Sequence, residues 1–385
     1  MAATNLTLTN LIPTFYEAMD IVARERVGLV TAVSRDSSAE RAAKDQFILS
    51  PVVGAMAAED LEVDNTSSSA GNQTISDVEI KITKARSVPF GVNAEQQRGL
   101  INAGTYAAIN RDRVAQAIRT LSNEIEGDLA ALHIGASRAY GTAAGTPFGT
   151  AGDLSDFAAA RQILTANGAP LGDLHMVLGE TSVAQLRGKQ STLFKVNEAG
   201  SDELLRTGEM GRVQGFSLHE SAQIKTSTPG TTTATVNADG YAVGATTFTV
   251  TAAASALVAG DIITFAGDPN QYVVKSAVGG ASSTFTIQEP GLKVAMVGAK
   301  AITVIGSTKR NMFFHRSAIH LVTRAPAMPM EGDMADDVEL IPDPVSGIVF
   351  EFAVYRQKRQ VRYEVNAAWG QAVANPRYLG LLIGA

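Results

Sequence analysis

The sequence predicts an α+β fold carrying a small all-β module, and three observations lead there. Apolar residues recur at steps of three and four from Arg111 to about Ala139, the pattern of one long helix. Helical and strand patterns alternate from Leu154 to Arg187. From Thr226 to Ser307 charge nearly vanishes and short β-patterned runs follow one another between turns, as in a small barrel or sandwich.

Taken in order, Leu11 to about Thr31 reads as a helix, with Phe15, Met19, Val22 and Leu29 at helical spacing and Pro13 in the first turn. It stands apart from the next ordered element and is expected to form an arm. Phe47–Val53 and Asp77–Thr83 read as two antiparallel strands, the second with Val78, Ile80 and Ile82 on one face and Glu79, Lys81 and Thr83 on the other. The polar stretch Gly54–Thr74 between them is too long for a compact domain and fits a projecting hairpin or a surface loop. The long helix places Val114, Ile118, Leu121, Ile125, Leu129 and Leu132 on one stripe and would be about 40 Å long. A Gly-rich connection then ends at Asp153, an N-cap candidate.

Leu154–Asn167 is expected to be helical, Leu174–Leu178 a strand and Thr181–Arg187 a short helix. Within the module the β runs are TTFTV, GDIITFAG, QYVVKSAV, STFTIQ and KAITVIG. Strands at Asn311–Thr323, Ile348–Tyr355, Arg359–Val365 and Tyr378–Ile383 then rejoin the sheet begun before the insertion.

With 385 residues the chain exceeds the span of one hydrophobic core, roughly 250 to 300 residues, so more than one domain is expected. A charged fraction of only 18% suits extensively contacted surfaces. The formal charge of −6 argues against a chain whose main task is gripping phosphates. Cysteine is absent, which removes disulfides, thiolate catalysis and Cys-ligated metals. MAATNLTLTN lacks the pattern of a secretory signal, and no apolar run reaches about 18 residues, so a soluble, intracellular protein with no membrane partner is expected. Sequon matches at Asn5, Asn65 and Asn72 are then chance.

No HExxH, GxSxG, GxGxxG or phosphate-loop pattern occurs, and GEMGRVQG from Gly208 to Gly215 has the wrong spacing for a dinucleotide turn. KRNMFFHRSAIHLVTRAPAMP, Lys309–Pro329, holds two of the five histidines. His315 and His320 are five apart, a spacing that gives no simple two-ligand metal site in either helix or strand. His133, His175 and His219 lack a nucleophile or carboxylate motif beside them and read as structural, so no catalytic, metal or cofactor residue is assigned. The segment reads instead as a strand packing Met312, Phe314 and Val322. The acidic run EGDMADDVELIPDP reads as a solvated or inter-subunit loop, with calcium ligation as the alternative. The basic run YRQKRQVR presents Arg356, Lys358 and Arg362 on one strand face and Arg359 on the other. Arg356, Lys358 and Arg362 opposed to Asp336, Asp337 and Glu339 of a neighbouring chain would set subunit register, with a solvated strand face or contact with nucleic acid as alternatives.

Three stretches carry a family resemblance: GRVQGFSLHESAQI at Gly211–Ile224, LVAGDIITFAG at Leu257–Gly267, and the Lys309–Pro329 segment followed by YEVNAAWGQAVANPRYLGLLIG. With the order of elements they resemble the major capsid proteins of tailed bacteriophages with the Hong Kong-97-type fold, nearest to the P-twenty-two-like podovirus coat proteins. That resemblance implies an N-terminal arm at 1–44, an extended hairpin loop at 45–93, a peripheral domain with a spine helix at 94–152 and the first part of an axial domain at 153–225. An inserted β-barrel domain at 226–307 and the second axial and peripheral part at 308–385 complete it. It further implies a non-enzymatic subunit forming hexamers and pentamers of an icosahedral shell in the virion, assembled in the host cytoplasm. Scaffolding protein, portal protein and double-stranded DNA packaged without sequence specificity are the implied partners. An encapsulin-type nanocompartment shell is the first rival, an enzyme using His315 or His320 the second, and a surface adhesin the third.

Overall fold

The computed structural model describes residues 13, 16–19, 28–53, 75–104, 106–190, 211–230, 235–237, 239–251, 257–276, 284–344 and 346–384. Residues 16–19 are helical and Leu29–Ala32 forms one further turn. β1 (Ser34–Ala42) follows, then the hairpin strands β2 (Phe47–Val53) and β3 (Ile75–Lys81), and β4 (Lys84–Asn93). A helix at Ala94–Asn102, closed by a reciprocal capping box between Asn93 and Gln96, leads into the spine helix Tyr106–Ala131. β5 (Arg138–Gly141), a helix at Ser155–Ala166, β6 (Leu174–Leu178), a helix at Glu180–Lys189, β7 (Arg212–Val213) and β8 (Phe216–Glu220) come next. The module contributes β9 (Thr247–Thr249), β10 (Ile262–Phe265), β11 (Gln271–Ser276), β12 (Thr284–Ile287) and β13 (Ile302–Val304). The chain returns through β14 (Lys309–His315), β15 (Ile319–Pro326), β16 (Asp337–Pro342), β17 (Val349–Gln357), β18 (Gln360–Val373) and β19 (Leu379–Gly384).

Two larger sheets organise these strands into an α+β architecture. The six-stranded sheet is built around β18, which pairs along one edge with β17 and β15 and along the other with β4; β1 and β16 lie at its ends. The spine helix lies across this sheet, burying Val114, Ile118, Leu121, Ile125 and Leu129, the stripe its spacing predicted. Asp128 and Trp369 fix the contact: the indole Nε1–H donates to the carboxylate at 2.9 Å, and Lys84 donates to the other oxygen at 2.8 Å. The second sheet has eleven strands. The order β5-β19-β14-β6-β8 runs through the middle of this sheet, and β11 of the module hydrogen-bonds directly to β5.

Inside the module Phe248, Ile263, Phe265, Tyr272, Phe285 and their neighbours form an apolar core separate from that of the main body. Beyond the paired strands, single bridges join Val236 to Val250 beside β9 and Thr235 to Ala301 beside β13. The chain enters and leaves at one place: Thr226 bridges Lys309, and Ser227 N–H donates to Thr308 at 3.0 Å.

Several elements differ from their sequence expectation. The spine helix stops at Ala131 and tightens into a 3-10 turn at Leu132–Gly135, because Arg138–Gly141 is drawn into strand pairing with β19 and β11. Lys309–Pro329 does not hold one strand. Its two strands β14 and β15 belong to different sheets and turn a corner at Arg316–Ala318; Met312, Phe314 and Val322 are nonetheless buried as expected. Ser34–Ala42, within the segment read as an arm, pairs in parallel with β15, and Ala18 and Met19 are buried in the main core. Lys84–Asn93 belongs to the six-stranded sheet and not to the hairpin. Residues 20–27, the loop at 54–74 and the three sequon asparagines lie outside the described residues.

Candidate functional site

The six charged residues singled out in the sequence gather at one end of the six-stranded sheet. YRQKRQVR is not one strand face. It is the β17–β18 hairpin, with Gln357 opposite Gln360 and Lys358–Arg359 as the exposed turn, Arg359 taking φ +57. Arg356 stands opposite Val361 and Arg362 opposite Tyr355, so alternation puts the two arginines on opposite faces. The acidic run is not wholly a loop either, since Asp337–Pro342 is strand β16, carrying Asp337 and Glu339 opposite Val354 and Phe352.

Partners for several of these charges lie in their own chain. Asp336 accepts the Arg356 backbone N–H at 2.8 Å and faces its guanidinium at 3.6 Å. Arg362 pairs with Glu364 at 2.7 Å. The Tyr355 hydroxyl donates to Asp333 at 2.5 Å, and burial together with that carboxylate pushes the phenol pKa up. The acidic loop and basic hairpin therefore shape one another within the chain. Met330 and Met334 project from this loop, fully solvent-exposed.

The β2–β3 hairpin has two unlike faces. Ile48, Val78 and Ile80 pack on Val322, Ala368 and Ala372 of the six-stranded sheet. On the other face Phe47 and Leu49 are 54% and 58% exposed, with Lys81 lying 5.9 Å from the Phe47 ring. The hairpin base crosses β18 so closely that a Cβ at Gly370 would lie 2.1 Å from the Lys81 carbonyl oxygen.

Histidines expected to be structural prove to form a chain. His175 on β6 faces Asp173 through Nε2 at 3.0 Å and His219 on β8 through Nδ1 at 3.0 Å. The parallel register, with Val177 opposite His219, brings together residues 44 positions apart that no local motif could connect. With Asp173 accepting from Nε2–H, His175 Nδ1 becomes the acceptor and His219 Nε2 the donor. Burial lowers the pKa of His175, and burial plus the neighbouring imidazole lowers that of His219 to about 4. His315 bonds Ser317 at 2.8 Å at the end of β14, while His320 lies on β15 in the other sheet, so the pair shares no centre. No group of three or more metal-ligating side chains occurs among the described residues.

A cavity of about 590 Å³ lies where β5 meets the module, lined by Arg138, Tyr140, Asp156 and Gln271 among others. Arg138 is committed there to Asn270 at 2.8 Å, a cross-brace between body and module, while Asp156 accepts the Phe148 N–H at 2.6 Å within the body.

No family model and no curated protein matches the sequence. Among solved structures, the chain is similar to one of Mycobacterium phage Che8 at 15% identity and a TM-score of 0.45, covering 88% of this chain and 85% of that one. The capsid of the cyanophage P-SCSP1u is similar at 11% identity and a TM-score of 0.45, covering 94% and 89%. A virus-like particle from Pyrococcus furiosus is similar at 11% identity and a TM-score of 0.46, covering 96% and 98%.

Proposed function

We propose that the chain is a capsid subunit of Hong Kong-97 type that assembles with copies of itself into an icosahedral shell around the double-stranded DNA of a tailed bacteriophage. The observation that carries this is the β2–β3 hairpin, anchored by one apolar face while the other leaves Phe47 and Leu49 more than half exposed. A two-stranded ribbon is marginal in water on its own. Symmetric copies of one chain supply a cover for such a face at every position of a closed lattice. The role is structural, built on repeated burial of surface and not on a reaction centre.

The finer reading is a P-twenty-two-like coat protein with a β-barrel inserted in its axial region. It is supported by the module's own apolar core and by the entry and exit of its chain side by side at Thr226 and Lys309. Hexamers and pentamers, a scaffolding protein, a portal and residence in the virion belong to the same proposal. Contacts between copies are assigned to Lys358 in the exposed turn and to Glu339 on the edge strand β16. Asp336, Arg356 and Arg362 hold the shape of that tip.

Electron microscopy of the full chain, alone and co-expressed with its genomic neighbours, tests the reading. Closed shells of uniform diameter are expected, and Phe47→Ser with Leu49→Ser should abolish them while leaving a folded subunit. Small discrete oligomers under every condition would overturn it.

A further inference from the structure

Glu126 sits in the last two turns of the spine helix, 1% exposed, among the buried helix residues Ser122, Ile125, Leu129 and Ala130. Its carboxylate collects three donors from two distant parts of the chain. Oε2 accepts Leu29 N–H at 3.1 Å and the Ser221 hydroxyl at 3.0 Å, and Oε1 accepts Val30 N–H at 3.1 Å. The two amides are the first of the Leu29–Ala32 turn, and Ser221 directly follows β8. Just before that turn, a Cβ on Gly28 would lie 2.3 Å from the Glu220 carbonyl oxygen, so the chain runs against the end of β8 with no room for a side chain. Leu29, Val30, Ala32 and Val33 are themselves buried in the main core.

We propose that Glu126 is a polar latch that locks the N-terminal segment, the spine helix and the end of β8 into one unit. A carboxylate buried without donors is among the costliest states a protein core can hold. Lifting the Leu29–Ala32 turn would leave Glu126 with the Ser221 hydroxyl alone, so the segment parts from the body only as water takes the place of the two amides. The two amide contacts accordingly form and break together, which sets a cooperative threshold for detaching this segment. The latch is a property of the single chain and holds whether or not the chain builds shells.

Amide hydrogen exchange at single-residue resolution on the full-length protein reads it directly. Glu126→Gln places an NH2 donor against one of the three incoming donors. It should speed exchange at Leu29 and Val30 at least tenfold, with the amides of β6 and β14 unchanged. Ser221→Ala, which removes one donor and keeps the charge, should speed the same two amides several-fold. If Glu126→Gln does not accumulate as folded protein, Glu126→Asp decides, because its shorter side chain cannot reach both amides and should loosen them in the same way. Exchange at Leu29 and Val30 within twofold of wild type in whichever Glu126 variant folds would overturn the latch.

Discussion

Arg41 and Glu351 form an ion pair, Nη1 to Oε2 at 2.5 Å, although their strands β1 and β17 are not neighbours in the sheet order. The same Nη1 donates to the Pro326 carbonyl on β15 at 2.8 Å, so the guanidinium reaches across the intervening strand. Asn366 holds the other Glu351 oxygen at 3.1 Å. This contact explains how a strand with no apolar alternation, SRDSSAERA, is kept in the sheet. Arg324 adds a second tie to Asp36 at 2.8 Å.

Arg41→Met should therefore destabilise the fold by roughly 1.5 to 3 kcal/mol, the scale of a hydrogen bond to a charged group lost from a buried partner. Arg41→Met with Glu351→Met should recover part of that loss, because the stranded carboxylate is gone. Urea denaturation followed by emission of Trp369, the only tryptophan, measures both. A single variant within about 0.5 kcal/mol of wild type, the range of ordinary surface substitutions, would show that the pair is incidental.

What could be read from the sequence follows the physics of each element. β6 and β10 are largely apolar runs buried on both faces, as is β17 from Val349 to Val354 apart from Glu351, and the spine helix carries a continuous stripe; these patterns are local and were legible. β1 and β16 are edge strands whose charged residues resemble loops; β1 holds by ion pairs and backbone pairing to the distant β15, and β16 by pairing with β17, the next strand in the chain. β5 was hidden because Leu132 continues the helical spacing past the point where the helix ends. The charged tip was found as a set of residues, but which of them pair within the chain depended on the two-residue turn at Lys358–Arg359. Glu126 gave no signal, since one carboxylate in a helix is unremarkable until the fold brings Leu29, Val30 and Ser221 to it.

Acid should weaken the fold through the Asp173–His175–His219 chain. Both imidazoles have pKa values lowered by burial, His219 to about 4, so between pH 6.5 and about 4 His219 binds more protons in the unfolded chain than in the folded one, and His175 acts in the same direction. The His219 contribution is complete above pH 6.5 and is lost as pH falls toward about 4, and that of His175 is lost in the same direction. Asp173 favours a charged His175, whereas Arg316 and His315 oppose it. Glu126 acts with the opposite sign: burial raises its folded pKa, so its contribution is lost as pH rises above the ordinary carboxylate range. The test is consequently a difference, the urea midpoint of wild type minus that of His219→Gln across pH 4 to 7. That difference should shrink steadily on acidification, and a flat one would remove the histidine chain from the pH response.

The module should be separable from the body but not neutral to it. Thr226 and Lys309 are bridged, so replacing 228–307 with a short Gly-Ser linker closes the gap without strain on either strand end. The main core, including the spine helix, Trp369 and β14, draws most of its apolar residues from outside the module and should retain a cooperative Trp369 transition. What the deletion uncovers is the outer edge of β5, where Gln271 and Tyr272 of β11 now pair with Ala139 and Arg138, and the Arg138 guanidinium that Asn270 holds. An exposed strand edge is a template for pairing with other chains. The truncated protein should thus fold with lower yield and form aggregates or shells of irregular size, seen by light scattering and electron microscopy. Normal yield with shells of wild-type diameter would mean that β5 needs no cover and that the module contributes nothing to folding or assembly.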